Sequence, residues 1–405
     1  MKNIFIYTMG FPYGNQETFL EEELEHLCDK YQKVYIVPLK KRNGILRDYS
    51  SKESCVVLEP IFEDTLNVIN VANLFKILAA FMSVFPFRLK KSIFVNSLIY
   101  ASVIVNAPKS FSIENIKKFH NIYDVHYFYW GYGLAYLSTW LRKSLASPFI
   151  VCRFHGFDLY ENRHDNWLPC RKQLISDSDQ LHFISLEGKS YFNKRYPESK
   201  SKSFLSYLGV KENKLISREI DNDIVIYSCS NVIPLKRVEL IFQTVVALAD
   251  ARPALIFYWH HFGDGECFDN LKRKINLSSI PRNLNCKLHG RVTKSCFLSF
   301  YSKPKKSIFI NLSTTEGLPV SIMEAIAFNI PVVATNVGGV SEVLLPSAGK
   351  LVDVDADVSV RLDAIINVLD NYNKFNPYKV WLDYFNSNDN YVNFSNTLNS
   401  GCTHE

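Results

Sequence analysis

The chain has 405 residues, of which 47% are hydrophobic and 21% charged, and this composition excludes wholesale disorder and suits two or three domains. Its net charge of +6 is too small and too dispersed to indicate a nucleic-acid-binding protein. Residues 1–200 hold 25 basic against 20 acidic residues, so this half carries +5 of the excess. Nine scattered cysteines without a C-x-x-C pair indicate reduced thiols in a cytoplasmic protein. No uncharged apolar run reaches 18 residues, so no transmembrane helix is predicted.

Strand-like and helix-like runs alternate along the first half, which is typical of an α/β fold with parallel sheets. A helix is expected over Thr18–Leu27. The strands are expected at Ile4–Tyr7, Lys33–Pro38, Ile122–Tyr127 and Pro148–Phe154. Between them, Phe75–Tyr100 is a long apolar and basic stretch that Pro86 interrupts. It fits either an interfacial helix that docks on a membrane or a core-packing helix with a solvated basic end.

A second series of strands begins after a polar stretch at Leu208–Asn222. Its members are expected at Asp223–Ser230, Ala254–Trp259, Cys286–His289, Ser307–Leu312 and Pro331–Ala334. Two series predict two doubly wound domains, residues 1–210 and 211–385, with the ligand site in the cleft between them. Residues 386–405 form a tail, a candidate to pack back on the first domain, whose last residues are expected to fray.

The segment Glu316–Glu324 carries the strongest chemical signal, because a Gly-Leu-Pro turn leads from a strand into an apolar helix with a carboxylate at each end. Pro319 suits the first helical position. The amides of the first turn then form a phosphate site at the positive end of the helix dipole. Glu324, about 7–8 Å along the helix, is placed to accept the two hydroxyls of a ribose. This layout predicts a site for a nucleotide-diphosphate sugar.

Three further turns follow successive strands of the same series and are expected at the same edge of the sheet. Lys236 lies after the first strand, where an ammonium reaches a diphosphate, although it is also compatible with an ordinary surface lysine. Gly263 opens the turn after the second strand, and Arg291 follows the third. The conjunction of these turns is more specific than any one of them.

Residues 223–345 resemble the donor-binding domain of the retaining GT-B glycosyltransferases of family 4, on the strength of Ser313–Ala325 with its E-x7-E pattern and Ile330–Glu342. The resemblance implies an α/β fold of GT-B architecture, with two doubly wound Rossmann-like domains that face each other across a cleft. It implies that Glu324 holds the donor ribose and Glu316 contacts the donor sugar. The amides near Gly317 and Leu318 would then lie near sugar and phosphate.

One position departs from the family pattern. The family usually has an arginine five residues before the diphosphate-neutralising lysine, and here that position is Asn231. The nearby Arg237 and Arg291 are candidates to supply the missing charge. Reduced activity or a different donor geometry is the alternative consequence.

The first domain offers a less specific set of candidates. Gly14, after the first strand, would let that loop approach the donor phosphate. The neighbouring Glu17 is equally explained as a carboxylate at a helix start. His155, at the end of a strand, falls where the resembled family often keeps a histidine close to the reacting sugar, and Asp158 is expected to orient its loop. Acceptor-side candidates are His126, Arg153 and Asp158.

Asp353–Asp357 matches the D-x-D pattern of metal-dependent transferases, but its position before an amphipathic run favours a turn and helix start. No metal site and no cofactor are therefore expected. The acceptor-side stretch Arg153–Arg171 resembles enzymes that build bacterial surface polysaccharides such as O-antigen, capsule or lipopolysaccharide.

The function predicted from these features is metal-independent, retaining glycosyl transfer of the hexosyltransferase type, from a nucleotide-diphosphate sugar to a hydroxyl of a saccharide or lipid-linked saccharide. The expected location is cytoplasmic, with peripheral contact at the inner membrane face as one option. Two alternatives remain: a nucleotide-sugar-binding protein without turnover, which Asn231 favours, and a nucleotide-sugar epimerase. The absence of G-x-G-x-x-G after the first strand argues against an NAD oxidoreductase.

Overall fold

A computed structural model describes residues 2–14, 17–41, 47, 53–62, 73–213 and 222–400. The chain divides into two compact units, one of residues 1–207 with 388–405 and the other of residues 208–387. The predicted boundary after residue 210 lies close to this division, and residues 214–221 of the predicted polar linker lie outside the described residues, as do residues 401–405 of the tail.

The first unit is built on a seven-stranded, wholly parallel sheet with the strand order β3-β2-β1-β4-β5-β6-β7. The strands are β1 Asn3–Thr8, β2 Lys33–Pro38, β3 Cys55–Val57, β4 Val125–Phe128, β5 Phe149–Phe154, β6 Gln180–Phe183 and β7 Ser203–Leu205. The helices are α1 Phe19–Lys30, α2 Leu74–Val84, α3 Lys91–Asn106, α4 Phe111–Phe119, α5 Ser138–Ser144, α6 Gly156–Leu159, α7 Arg171–Asp177 and α8 Leu186–Arg195.

The central strand β1 shows why this sheet is buried on both faces. Alternate side chains of a strand point to opposite faces, so Ile4 and Ile6 pack with α1 while Phe5 and Tyr7 enter the core on the other side. All four are at most 2% exposed. An apolar run without alternation is therefore the expected signature of such a strand, as the sequence shows.

The second unit has a six-stranded parallel sheet with the order β10-β9-β8-β11-β12-β13. The strands are β8 Asp223–Cys229, β9 Ile256–Phe262, β10 Leu284–Leu288, β11 Ser307–Asn311, β12 Val332–Thr335 and β13 Gly349–Val352. The helices are α9 Val238–Ala251, α10 Phe268–Leu277, α11 Lys294–Tyr301, α12 Val320–Ala327, α13 Val340–Val343, α14 Val358–Asp370 and α15 Pro377–Tyr384.

The last helix, α16 (Ser387–Ser400), lies almost wholly in the first unit. Its Phe394 and Leu398 are buried with α1 and the first sheet. The Phe394 ring lies 4.5 Å from the guanidinium carbon of Arg153, a cation–π contact. Burying a phenylalanine contributes roughly 1.5–3 kcal/mol, so this contact helps to anchor the tail.

The structure also bears on two local patterns that the sequence left open. The Asp353–Asp357 segment is a turn followed by a helix start, because the Asp357 side chain accepts from the Val360 amide at 3.0 Å and α14 begins at Val358. The long apolar stretch is two helices, α2 and α3, separated around Pro86. None of the eight described cysteines forms a disulfide.

A buried histidine of the second unit gives a pH prediction. His261 is fully buried, its Nδ1 lies 2.9 Å from the Ser228 hydroxyl, and burial lowers its pKa to about 4 from the ordinary 6.5. A depressed folded-state pKa contributes stability above pH 6.5 that is lost as the pH falls towards 4. Between pH 7 and 5, denaturant titrations are expected to show the wild type losing about 1–2 kcal/mol more unfolding free energy than His261→Gln. Equal pH slopes for the two proteins would contradict this assignment.

Candidate functional site

The order of strands in the second unit brings two loops together. Strands β9 and β10 lie on one side of β8, and β11 to β13 lie on the other, so the strand order reverses between β8 and β11. The loops at the carboxyl ends of two such strands diverge and leave a crevice, which is the usual ligand position in open parallel sheets. Here the Thr314 amide donates to the Leu235 carbonyl at 2.8 Å, and this bond joins the two loops.

An ion pair spans the same two loops. Lys236 Nζ lies 2.6 Å from Glu316 Oε1, and Asn311 Nδ2 donates to the same oxygen at 3.2 Å. Glu316 is buried and Lys236 is about a quarter exposed, so the pair is partly shielded from solvent. The carboxylate neutralises the lysine. A diphosphate that arrives at this point offers Lys236 a stronger anionic partner, and this would release Glu316.

Two adjacent glycines, Gly338 and Gly339, fix the backbone position of Glu316. Gly338 has φ +51, and a Cβ on it would lie 2.1 Å from the Glu316 carbonyl oxygen. The adjacent Gly339 amide donates to the Gly317 carbonyl at 2.9 Å. Only glycine permits both the left-handed backbone and this close approach. The sequence signal Gly338-Gly339 therefore serves to hold the Glu316–Gly317 backbone.

Helix α12 follows this loop and begins one residue later than the sequence suggested. The prediction that Pro319 occupies the first helical position is wrong, because Pro319 is the N-cap residue with φ −79° and ψ 91° and the helix starts at Val320. A proline at the N-cap still leaves the first amides of α12 without intrahelical partners. Leu318 is buried beneath them and Gly317 is half-buried.

Glu324 is buried on α12, and Lys294 at the start of α11 lies 3.4 Å from its Oε1. Cys229, at the end of β8, is close enough that the Glu324 charge adds to burial in raising the pKa of its thiol well above the ordinary value. The sequence did not indicate Lys294. Its only signal is its position directly after the Thr293 helix cap, at the carboxyl side of β10.

Two tight turns complete this edge of the second sheet. Gly263 has φ +137, and a Cβ there would meet the Ser230 carbonyl at 1.9 Å, so the turns after β8 and β9 pack backbone to backbone. Its amide donates to Gly290 at 2.9 Å, which brings the loop of Arg291 to the same edge. Arg291 and Asn231 are both exposed.

Arg237, one of the two candidates to supply the missing positive charge, is bonded to backbone carbonyls. Its Nε donates to the Leu312 carbonyl at 2.6 Å and its Nη1 to the Val354 carbonyl at 2.8 Å. These bonds tie the loop after β11 to the turn before α14. Its Nη2 has no hydrogen-bond partner among the described residues, so Arg237 stays a candidate beside the exposed Arg291.

In the first unit, Glu17 organises the loop after β1. Its carboxylate accepts from the amides of Met9 and Gly10, each at 2.9 Å, and from the amide of Phe11 at 2.7 Å. The indole Nε1 of Trp130, after β4, donates to it at 2.6 Å. The strand order of this sheet reverses between β1 and β4. Glu17 therefore ties together the two loops at the switch point rather than serving as a helix-start carboxylate.

His155 is buried beside this clamp. Its ring lies 4.4 Å from the Trp130 ring and 4.8 Å from the Tyr129 ring, measured between centroids. Neither ring nitrogen has a hydrogen-bond partner among the described residues, and burial lowers the pKa of His155 well below its ordinary value. A neutral imidazole with two unused polar atoms is suited to receive a substrate hydroxyl. Gly14, at φ +73, lies in the loop that Glu17 holds.

Asp158 orients this segment, as its position suggested. Its carboxylate accepts from the His155 amide at 2.7 Å and from the Gly131 amide at 2.5 Å. Burial raises the pKa of Asp158 to about 7, against the opposing charge of Arg171. The fully buried carboxylate faces protein backbone, so it holds the loop and does not itself reach solvent.

Two of the predicted acceptor-side residues, Arg153 and His126, lie inside the fold and not at its surface. Arg153 is completely buried and forms a 2.5 Å ion pair with Glu23, so it cannot contact an acceptor without leaving a buried carboxylate unpaired. His126 is also completely buried, 2.9 Å from the Tyr7 hydroxyl and stacked on Phe5. Both side chains therefore have structural roles. When a sheet is buried on both faces, the sequence of a strand does not show which face each side chain occupies. The burial of these two residues could therefore not be predicted.

Residues 210–379 match the family described as Glycosyl transferases group 1. The matched residues lie within the second unit. A segment of 187 residues is 28% identical to the O-antigen biosynthesis glycosyltransferase WbnH of Escherichia coli and covers 43% of this chain and 50% of that protein. The chain thus spans about half the length of the curated relative it matches.

Solved structures resemble the chain over its whole length. The lipopolysaccharide outer core galactosyltransferase WaaB, in its apo form, superposes with a TM-score of 0.68 at 14% identity over 99% of each chain. Anabaena Alr3699/HepE in complex with UDP also gives 0.68, at 13% identity over 99% of this chain and 100% of that one. These likenesses confirm the predicted fold class, an α/β GT-B fold with two parallel-sheet Rossmann-like domains. The cleft between the domains stays a prediction.

The Glu17 clamp can be tested by one isosteric change. Glu17→Gln keeps the size of the side chain but replaces one acceptor oxygen by an amide that faces backbone N–H donors. We expect a loss of about 1–3 kcal/mol of unfolding free energy and an altered Trp130 fluorescence spectrum. Glu25→Gln, an exposed position on the following helix α1, is the matched control and is expected to change neither quantity. Equal stability of the Glu17 and Glu25 variants would refute the clamp.

Proposed function

We propose that the protein is a retaining glycosyltransferase that moves a hexosyl group from a nucleotide-diphosphate sugar to a hydroxyl acceptor, without a metal cofactor. The observation that carries the proposal is the Lys236–Glu316 pair at the switch point of the second sheet, beside the start of α12 and the buried Glu324. The family match of residues 210–379 supports the same activity.

The roles of these groups follow from the charges that the reaction develops. Departure of the nucleoside diphosphate leaves negative charge on the leaving phosphate and positive charge on the anomeric carbon. Lys236 and the first amides of α12 stabilise the phosphate, because both are preorganised positive groups. Glu316, once released from Lys236, contacts the donor sugar. Glu324 accepts the ribose hydroxyls. No step in this scheme requires a cation.

His155 and Asp158 complete the proposed assignment on the first unit. His155 offers its two unused ring nitrogens to a substrate hydroxyl, while Asp158 fixes its backbone. The proposed donor is a nucleotide-diphosphate sugar. The proposed acceptor is a saccharide or lipid-linked saccharide in O-antigen, capsule or lipopolysaccharide synthesis. The WbnH and WaaB descriptions favour this acceptor class. A peripheral position at the inner membrane face belongs to the same proposal.

A nucleotide-sugar-binding protein without turnover is the second candidate. Asn231 favours it, because the exposed amide supplies no positive charge where the resembled family has an arginine, and Arg237 is occupied with backbone carbonyls. Retained donor binding with no release of nucleotide would select this alternative.

The direct test is release of nucleoside diphosphate from UDP-, GDP- and dTDP-sugars without acceptor. One donor is expected to be hydrolysed slowly by the wild type, and Glu324→Gln is expected to lower kcat/KM by about 10–100-fold, since a ribose contact is worth about 1.5–3 kcal/mol when charged. Asp363→Asn, exposed on α14 in the same unit, is the control and should keep wild-type rates. Equal rates for Glu324→Gln and the wild type would contradict the assignment of the ribose site.

The same reaction followed by NMR tests retention. The first sugar released is expected to have the anomeric configuration of the donor, before mutarotation mixes the anomers. Release of the opposite anomer would show an inverting reaction and reject this part of the proposal.

A further inference from the structure

The helical hairpin of α2 and α3 exposes an unusual amount of apolar surface. Helix α2 reads Leu-Phe-Lys-Ile-Leu-Ala-Ala-Phe-Met-Ser-Val, in which only Lys76 and Ser83 are polar. Ile77 and Phe81 are buried against α3. A helix with one packed face normally presents polar residues on the opposite face, and α2 does not.

The uncovered stripe has helical spacing. Phe75, Leu78 and Met82, at i, i+3 and i+7, are 88%, 54% and 45% exposed. The stripe continues into the turn before α3, where Phe87 is 72% and Leu89 98% exposed. The ring centroids of Phe87 and Phe85 are 5.7 Å apart, so the turn packs onto the hairpin. Singly scattered apolar residues need no explanation, but a continuous stripe marks an interaction surface.

The charge of this region is of one sign. From residue 65 to residue 113 the chain has no aspartate or glutamate, and its basic residues are Lys76, Arg88, Lys90, Lys91 and Lys109. The first four lie in the hairpin and are exposed. Asp165 accepts a hydrogen bond from Ser92 at the start of α3. This single carboxylate offsets only part of the four positive charges of the hairpin.

The combination of exposed apolar and basic side chains favours an anionic bilayer as the binding partner of the hairpin. A second copy of the chain would place the same cations against each other, which costs free energy. The core of a protein interface is depleted in lysine, whereas apolar side chains flanked by lysine and arginine match the acyl and headgroup layers of an anionic bilayer. Helix α2 has 11 residues and is about 16 Å long, too short to cross a hydrocarbon core of about 30 Å. Among the described residues, no helix has the length and apolarity to span a membrane.

We propose that the hairpin of residues 74–95 is a docking surface for anionic phospholipid bilayers. Phe75, Phe87 and Leu89 enter the interface, α2 lies in its plane, and Arg88, Lys90 and Lys91 contact lipid phosphates. The purpose of such docking, access to a lipid-linked acceptor, rests on the proposed function. The binding itself does not require glycosyl transfer.

The test is vesicle flotation with the full-length protein. Vesicles of phosphatidylcholine with phosphatidylglycerol are expected to carry the protein, and added NaCl is expected to release it because the attraction is partly electrostatic. Vesicles of phosphatidylcholine alone are expected to carry much less. Lys90→Gln with Lys91→Gln should weaken binding about 10–30-fold, since each basic residue near an anionic surface contributes about 1 kcal/mol. Phe75→Ser with Phe87→Ser and Leu89→Ser should abolish flotation.

Matched controls change the same chemistry elsewhere. Leu277→Ser removes an apolar side chain that is 88% exposed on the second unit, and Lys272→Gln with Arg273→Gln removes two exposed charges from α10. Both control proteins should float like the wild type. Unchanged flotation of the hairpin variants, or no wild-type flotation with anionic vesicles at low salt, would overturn the proposal. So would a dimer in analytical ultracentrifugation that the hairpin variants abolish.

Acceptor-free donor hydrolysis by the same variants separates this inference from the proposed function. Hairpin variants are expected to hydrolyse the donor at wild-type rates. Failure to bind vesicles with hydrolysis intact rejects the docking surface alone. Vesicle binding without hydrolysis of any donor leaves the docking surface standing and counts against the transferase.

Discussion

The strand order of the two parallel sheets is the constraint on which both candidate sites depend. In each sheet, successive strands are first added on one side of a central strand, β1 or β8. The chain then returns and adds the remaining strands on the other side. The loops that diverge at this point need a bond to hold them at a defined separation. A glutamate supplies it in each unit: Glu17 binds the Trp130 indole, and Glu316 binds the Lys236 ammonium.

The two glutamates differ in a way that matters for function. Glu17 is satisfied by three backbone amides and an indole, all of which are permanent partners. Glu316 is held by one lysine and one asparagine amide, and the lysine is partly exposed. Under the proposed function, a diphosphate displaces Glu316 from Lys236, whereas Glu17 keeps its four protein partners. The proposal therefore gives the first carboxylate a structural role and the second a role in substrate binding.

The missing arginine at Asn231 makes the lysine more important. Arg237 donates to the Leu312 and Val354 carbonyls, Lys236 pairs with Glu316, and Lys294 lies beside Glu324. Under the proposed function, the two lysines supply positive charge at the diphosphate and ribose positions respectively. The buried Glu324 is not left as an uncompensated charge, which would be costly inside the protein.

Much of the fold and the donor loops could be predicted from the sequence, because apolar strands and the Glu316–Glu324 segment are local patterns. Strand β11, for example, was expected at Ser307–Leu312 and ends at Asn311. Contacts between residues far apart in the chain could not be predicted in this way. Trp130 lies 113 residues from Glu17, and nothing local marks the pair. Arg153 and His126 were misplaced because strands buried on both faces lack the alternation that reveals a side chain's direction.

A crystal structure with bound nucleoside diphosphate would test the central claim most directly, through the distance between Lys236 Nζ and Glu316 Oε1. The account predicts that the 2.6 Å contact opens, with the lysine on a phosphate oxygen, the phosphate at the first turn of α12 and the ribose on Glu324. A nucleotide bound elsewhere, or a phosphate at α12 with the Lys236–Glu316 contact still closed, would contradict it.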